Sequence, residues 1–294
     1  MKYAFFPGCI AKNVYPSIEK STRMVFEKLK IDLVDYPYSC CPAPGVLGSY
    51  DQDTWLTLGA RNISLSEADE LGIVVICNGC YGTVHRVYDI LDKDEEKKAM
   101  VNANLGKVGM DYKGTYRPIH FVDVMDSMKE EILKNKKSDL GLRVAIHYGC
   151  HYLRPKSDEA TYNVEKPKVV EGIVELLGCE SVEFKDKLSC CGAGGGVWSG
   201  AEELGIDILE EKVQNILDVG DVDCIVNICP FCHMHIDSTQ KKSQFKADTV
   251  PTLHLNQLLG MAFGMKDKHL GLHTHRVSTR DVVKAVKKAG KEKK

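Results

Sequence analysis

The sequence lacks any apolar stretch approaching the roughly 18 residues that a membrane-crossing helix needs. Its apolar runs, such as residues 73–77, are far shorter, which argues against a helical span. It also lacks an excess of charge of either sign: 39 Lys and Arg face 41 Asp and Glu, for a formal net charge of -2. No general attraction to nucleic acid or to an acidic membrane surface follows from that balance. The opening Met1-Lys2-Tyr3-Ala4-Phe5-Phe6 has the look of a short leader but no small-residue cleavage site, so it is expected to be retained. There is no G-x-x-x-x-G-K-[ST] loop, and Gly192-Ala193-Gly194-Gly195-Gly196-Val197 places valine where a dinucleotide-binding G-x-G-x-x-G needs its last glycine. The C-x-x-C-x-x-C run of cubane ferredoxins is missing too. No flavin or nicotinamide is therefore expected in this chain, and any electrons it handles must arrive from another protein.

Cysteine is present in an unusual way. Twelve cysteines in 294 residues fall well short of the roughly 8 to 10% of a small disulfide scaffold, and a reducing, cytoplasmic compartment is expected. Ten of the twelve form two copies of one pattern: a lone Cys, an adjacent pair 31 or 40 residues on, then a C-x-x-C. The first copy is Cys9, Cys40, Cys41, Cys77 and Cys80; the second is Cys150, Cys190, Cys191, Cys229 and Cys232. Adjacent cysteines cannot readily bridge each other, so two quintets of thiols point to two metal-sulfur sites. Zinc is one alternative, but four thiolates complete its tetrahedral site and a fifth is surplus. Iron-sulfur clusters have more metal corners and accept the extra thiolate. Cys179 and Cys224 have no thiol opposite them in the other copy and are expected to be buried non-ligands.

The flanking sequences repeat as well. Gly8-Cys9 answers to Gly149-Cys150, residues 72–77 answer to 224–229, and the segment ending at His120 answers to that ending at His254. A period near 140 residues is duplication of a domain, not a solenoid. Cys80 to His120 spans 40 residues but Cys232 to His254 only 22, which predicts an inserted helix within 93–111 of the first copy. Hydrophobic periodicity predicts strands over 2–6, 31–36 and 73–77 and helices over 17–29, 51–71 and 81–91. The second copy repeats this with strands over 143–147, 181–184 and 225–228 and helices over 168–177, 204–219 and 235–241. Alternating strands and helices predict an α/β fold with a parallel sheet in each copy and the cysteines at strand carboxyl ends, where helix N-termini converge. The polar, lysine-rich stretch 127–140 marks the join, giving domains at 1–138 and 139–294, the second ending in a basic tail.

Cys40-Cys41-Pro42-Ala43-Pro44-Gly45, Cys190-Cys191-Gly192-Ala193-Gly194-Gly195-Gly196 and the two C-x-x-C units resemble the paired CCG domains of the B-type subunit of heterodisulfide reductase. The resemblance runs from residue 1 to about residue 261. It implies two non-cubane [4Fe-4S] clusters, one per quintet, with all ten cysteines as ligands, facing a pocket where the mixed disulfide CoM-S-S-CoB is reduced to coenzyme M and coenzyme B. Disulfide reduction takes two electrons and a cluster usually supplies one, which gives a reason for two. It also implies partners: a ferredoxin-like iron-sulfur subunit, a flavin subunit, and a hydrogenase or formate dehydrogenase as electron source. CCG pairs also occur in electron-transfer subunits of lactate, glycolate, glycerol-3-phosphate and thiol:fumarate flavin oxidoreductases, which is the alternative reading.

The mixed disulfide carries sulfonate, phosphate and carboxylate, so its pocket is expected to offer cations or N–H donors. Lys12, His151 and Arg154 follow the first cysteine of their copies, and His85, Arg86, His233 and His235 follow the C-x-x-C units. Of these, Lys12, His151, Arg154 and His233 are the candidate substrate contacts. His120 and His254 recur in both copies, which predicts a shared structural role.

Overall fold

In the computed structural model, which describes residues 1–43, 45–155, 163–242 and 248–292, the strands form two all-parallel sheets of the same topology. The first is built from β1 (Lys2–Phe6), β2 (Asp32–Asp35), β3 (Ile73–Val75) and β4 (Ile119–His120), in the order β2-β1-β3-β4. The second uses β5 (Arg143–His147), β6 (Glu180–Val182), β7 (Cys224–Asn227) and β8 (Thr252–His254), in the order β6-β5-β7-β8. Strands such as Ile73–Val75 are buried on both faces, as expected where helices cover both sides of a parallel sheet. In each sheet the winding reverses between the first and third strands. Beyond their carboxyl ends, at residues 7–9 and 76–77 or 148–150 and 228–229, such a reversal leaves a crevice.

The expected helices form, with corrected ends. Residues 51–71 become Gln52–Glu67, capped by Asp51, whose carboxylate accepts from Thr54 N at 2.9 Å. The inserted helix is Glu95–Gly106. The helices after the C-x-x-C units begin earlier than periodicity indicated, at Asn78–Lys93 and Pro230–Thr239, because the cysteines themselves open them. The stretch 127–140 is not a plain polar linker: it holds the helix Lys129–Asn135, which buries Ile132. The basic tail forms Arg280–Glu292, which buries Val282 and docks on its own chain, with Lys287 Nζ 2.7 Å from Asp267 Oδ2.

His120 and His254 do the same job in each half. Each precedes a helix, Phe121–Ser127 or Leu255–Ala262, and its Nδ1 accepts a backbone N–H two residues on, at 3.4 and 3.3 Å. These capped helices are exchanged between the halves. Leu255–Ala262 packs on the helix Pro16–Lys28 of the first half, where Asn256 Nδ2 donates to Thr22 Oγ1 at 2.8 Å. Phe121–Ser127 packs reciprocally on Val169–Leu176 of the second, and Tyr152 donates to Asp123 at 2.8 Å. Among the described residues no helix is long and apolar enough to cross a membrane.

Candidate metal centres

The cysteines of each half converge at the carboxyl edge of its sheet. Cys9 lies in the short helix Gly8–Asn13 after β1, Cys40 and Cys41 lie beyond β2, and Cys77 caps Asn78–Lys93 with Cys80 in its first turn. In the second half Cys150 opens the turn Cys150–Leu153, Cys190 and Cys191 lie beyond β6, and Cys229 caps Pro230–Thr239 with Cys232 in its first turn. The unpaired N–H groups and positive end of a helix N-terminus favour thiolate at both C-x-x-C units.

Glycine is required before each lone cysteine for two reasons. Gly8 and Gly149 have φ of +71° and +73°, where a side chain is strained. A Cβ at Gly8 would also stand 3.0 Å from Cys80 Sγ, and one at Gly149 only 2.5 Å from Asn78 Nδ2 and 3.4 Å from Cys232 Sγ. The backbone is thereby drawn against the sulfurs.

In the first half the thiols perturb one another in series, Cys9 with Cys40, Cys40 with Cys41, Cys41 with Cys80 and Cys80 with Cys77. The second half repeats the order, from Cys150 through Cys190, Cys191 and Cys232 to Cys229. The two series meet where Cys77 Sγ lies 3.7 Å from Cys229 Sγ. Ten sulfurs thus form one array that reads alike from either end.

Within the array three thiols, Cys41, Cys190 and Cys229, are held below their ordinary pKa while their neighbours are raised. The neighbouring Cys40 and Cys80 thiols hold the Cys41 thiol well below its ordinary pKa, and the Cys150 and Cys191 thiols lower Cys190. Cys191 is pushed up to about 12, chiefly by the adjacent Cys190 thiol. Neighbouring thiolates this close cannot all ionise without a cation among them. Ten free thiols so arranged are a donor set that fits metal-sulfur chemistry.

The non-repeating cysteines stand apart. Cys224 begins β7, paired with Val144, and Cys179 precedes β6, so both occupy the amino end of the sheet, opposite the array. Both are buried, and burial raises both thiols, Cys179 to about 12.

All five cysteines of the second quintet line one cleft with Asn78, Gly79 and Ala43 of the first half, and Gly194 and Gly195 line it too. His151 stands at its rim, Nδ1 3.3 Å from Cys150 Sγ, and also lines a groove with His85, Arg86, Lys93 and Arg154. Lys12 is elsewhere, in an opening beside Cys9 and Cys40 with Arg23 and Tyr38. His233 is fully buried; its Nδ1 lies 3.1 Å from Asn227 Nδ2, and its ring packs edge-on against Tyr15 and His275. The structure therefore groups His151 with Arg154 and separates Lys12 and His233 from them. His235 is also buried, against the Gly205 carbonyl at 3.1 Å.

Two residues beside the second quintet escaped the sequence reading. His147, at the end of β5, is fully buried, and one of its ring nitrogens lies with Cys191 and Cys232 Sγ in a set of atoms all within 4.8 Å of one another. Burial drives its pKa down to about 3. Lys212 is 2% exposed, and burial brings its pKa down to about 8 against the opposing pull of Cys191, Cys232 and Cys190. A mismatch in the repeat could have flagged both.

Comparison with known proteins accords with this geometry. The CCG cysteine-rich domain model matches residues 3–85 and 144–237. The B-type subunit of the ferredoxin:CoB-CoM heterodisulfide reductase of Methanosarcina mazei is 43% identical over 94% of both chains. The 8-methylmenaquinol:fumarate reductase membrane anchor subunit of Wolinella succinogenes is 33% identical over 92% of this chain and 95% of its own. A crystal structure of a hypothetical protein from Helicobacter pylori shares the fold, with TM-score 0.73 at 18% identity over 94% of this chain, which spans 52% of that one. With two cysteine-rich domain matches and full-length similarity to a curated reductase subunit, the chain belongs to the CCG-domain family of heterodisulfide reductase B-type subunits.

Proposed function

We propose that this chain is the disulfide-cleaving subunit of a heterodisulfide reductase, reducing CoM-S-S-CoB to coenzyme M and coenzyme B. The observation that carries the reading is the ten-sulfur array bridging the halves, with a cleft along its second part. Cys9, Cys40, Cys41, Cys77 and Cys80 would hold one non-cubane [4Fe-4S] cluster, and Cys150, Cys190, Cys191, Cys229 and Cys232 the other, in domains 1–138 and 139–294. When bound, these clusters supply one electron each, matching the two electrons and two protons that convert a disulfide to two thiols.

The chain's own residues do the rest. Gly149, Gly194 and Gly195 keep side chains out of the cleft, leaving room for a disulfide beside the second quintet. Arg154 and Arg86 offer cations to an anionic end of the substrate lying in the groove. His151, between cleft and groove, is in position to hand a proton from its ring to a departing thiolate near Cys150. Lys12 serves an anionic group approaching from the Cys9 side, whereas His233 is left a packing role. Electrons would come from a ferredoxin-like iron-sulfur subunit and a flavin subunit, with hydrogenase or formate dehydrogenase behind them. Similarity to one component of a fumarate reductase supports a second reading, an electron relay without substrate chemistry.

Anaerobic protein should contain about eight irons with matching sulfide. Paramagnetic resonance with and without the mixed disulfide separates the readings: a substrate-induced change in cluster spectra is expected, and none in any redox state leaves only the relay.

A further inference from the structure

The two sites differ at two equivalent positions. Three residues before the lone cysteine the first half has Phe6 and the second His147; 21 residues after the cysteine pair the first half has Asn62 and the second Lys212. Phe6 is an apolar wall, 1% exposed, packed on Tyr38 at 4.6 Å between ring centroids. Asn62 is a neutral brace: its Oδ1 accepts from Ser39 N at 3.0 Å and its Nδ2 donates to the Cys40 carbonyl at 3.2 Å. Lys212 braces the corresponding loop, donating to the Asp186 and Lys187 carbonyls at 3.2 and 3.1 Å, but it brings a buried positive charge. Neither ring nitrogen of His147 has a hydrogen-bond partner, although the side chain is fully buried and one nitrogen faces Cys191 and Cys232.

An unpartnered buried N–H is costly unless the missing acceptor is part of the working protein. At the proposed cluster site the acceptor would be a sulfur. Hydrogen bonds to sulfur and nearby positive charge both stabilise the reduced, more negative form of an iron-sulfur cluster. We infer that His147 donates a ring N–H to sulfur at the second site and that Lys212 supplies a fixed cation there, making this half a stronger electron acceptor than its own scaffold would be with Phe and Asn. Both act as positioning and tuning residues, not ligands. The inference rests on the reading that each quintet holds a cluster.

The test is an anaerobic redox titration of the full chain followed by paramagnetic resonance, with iron and sulfide measured on the same samples. The signal lost in Cys191→Ser marks the second site, and the one lost in Cys41→Ser marks the first. Lys212→Asn and His147→Phe should each lower the reduced-to-oxidised ratio of the second site at fixed potential by about tenfold, about 59 mV for a one-electron couple, while the first site stays put. Lys212→Arg should restore the ratio. An exchangeable-proton coupling at the second site should vanish in His147→Phe. Unmoved second-site potentials in both iron-replete variants, or equal shifts at both sites, overturn the inference. Loss of second-site iron in His147→Phe makes His147 a ligand and overturns its donor role, leaving Lys212→Asn and Lys212→Arg to decide the charge. Absence of iron and sulfide from wild type instead sinks the underlying cluster reading.

Discussion

The first half exposes Cys9 and Cys40 to solvent, whereas the equivalent Cys150 and Cys190 of the second half are partly covered. The backbone around them is shared: the same strand order, the same glycine before the lone cysteine and the same helix start at each C-x-x-C. Duplication therefore preserved where the sulfurs stand, while the side chains that set access and charge diverged. A repeat in sequence predicts a repeated scaffold and says little about equal chemistry.

The severest challenge to that comparison is removal of one central cysteine at a time. Cys41→Ser and Cys191→Ser should each lower iron from about eight to about four per chain, sparing the other site's signal. Iron falling to near zero in either variant would show that the shared Cys77 and Cys229 contact makes the sites one unit.

Next in size is the glycine pair. Both Gly8→Ala and Gly149→Ala strain a left-handed residue, at a cost on the order of 1–3 kcal/mol. Gly149→Ala should cost more, because its Cβ would meet Asn78 Nδ2 at 2.5 Å and disturb the 2.7 Å bond from Asn78 to the Tyr148 carbonyl that ties the halves together. Denaturant midpoints for the two variants give the ranking; equal or inverted midpoints would mean that the halves join less tightly there than the contact indicates.

Exposure sharpens the contrast further. A chelator should remove the first site's iron several-fold faster than the second's, since of the ten cysteines only Cys9 and Cys40 are open to solvent; simultaneous decay of both signals would contradict it. The smallest effect is expected from Cys179→Ala and Cys224→Ala. Lying at the amino end of the sheet, they should leave iron content unchanged and cost about 1 kcal/mol in packing, which iron assay and thermal melting can check.

Much of this was legible in the sequence because cysteine spacing and apolar periodicity are local signals. They fixed the two quintets, the parallel α/β class, the inserted helix Glu95–Gly106 and the structural role of His120 and His254. Strands β4 and β8 escaped because two or three residues carry no period. The helices Asn78–Lys93 and Pro230–Thr239 start earlier than predicted because Gly79 and Cys80, or Pro230 and Phe231, give no amphipathic signal. The groove that brings His151 and Arg154 beside His85 and Arg86 depends on how one half sits against the other, which no spacing within a half encodes. His147 looked like an ordinary strand residue until burial and its unpartnered ring nitrogens were visible.

The exchanged helices have a consequence for the order in which the molecule can be completed. Two identical copies could satisfy the same exchange as a two-fold symmetric dimer, each closing the other's core. In one chain, however, the bond from Asn256 to Thr22 links residues 234 positions apart, and contacts of that range form only after the intervening loop has been closed. During synthesis the helix Pro16–Lys28, translated early, must wait for Leu255–Ala262 to cover it. The oldest part of the nascent chain is thus the last to be sealed, and the first half reaches its finished packing only once Leu255–Ala262 has emerged.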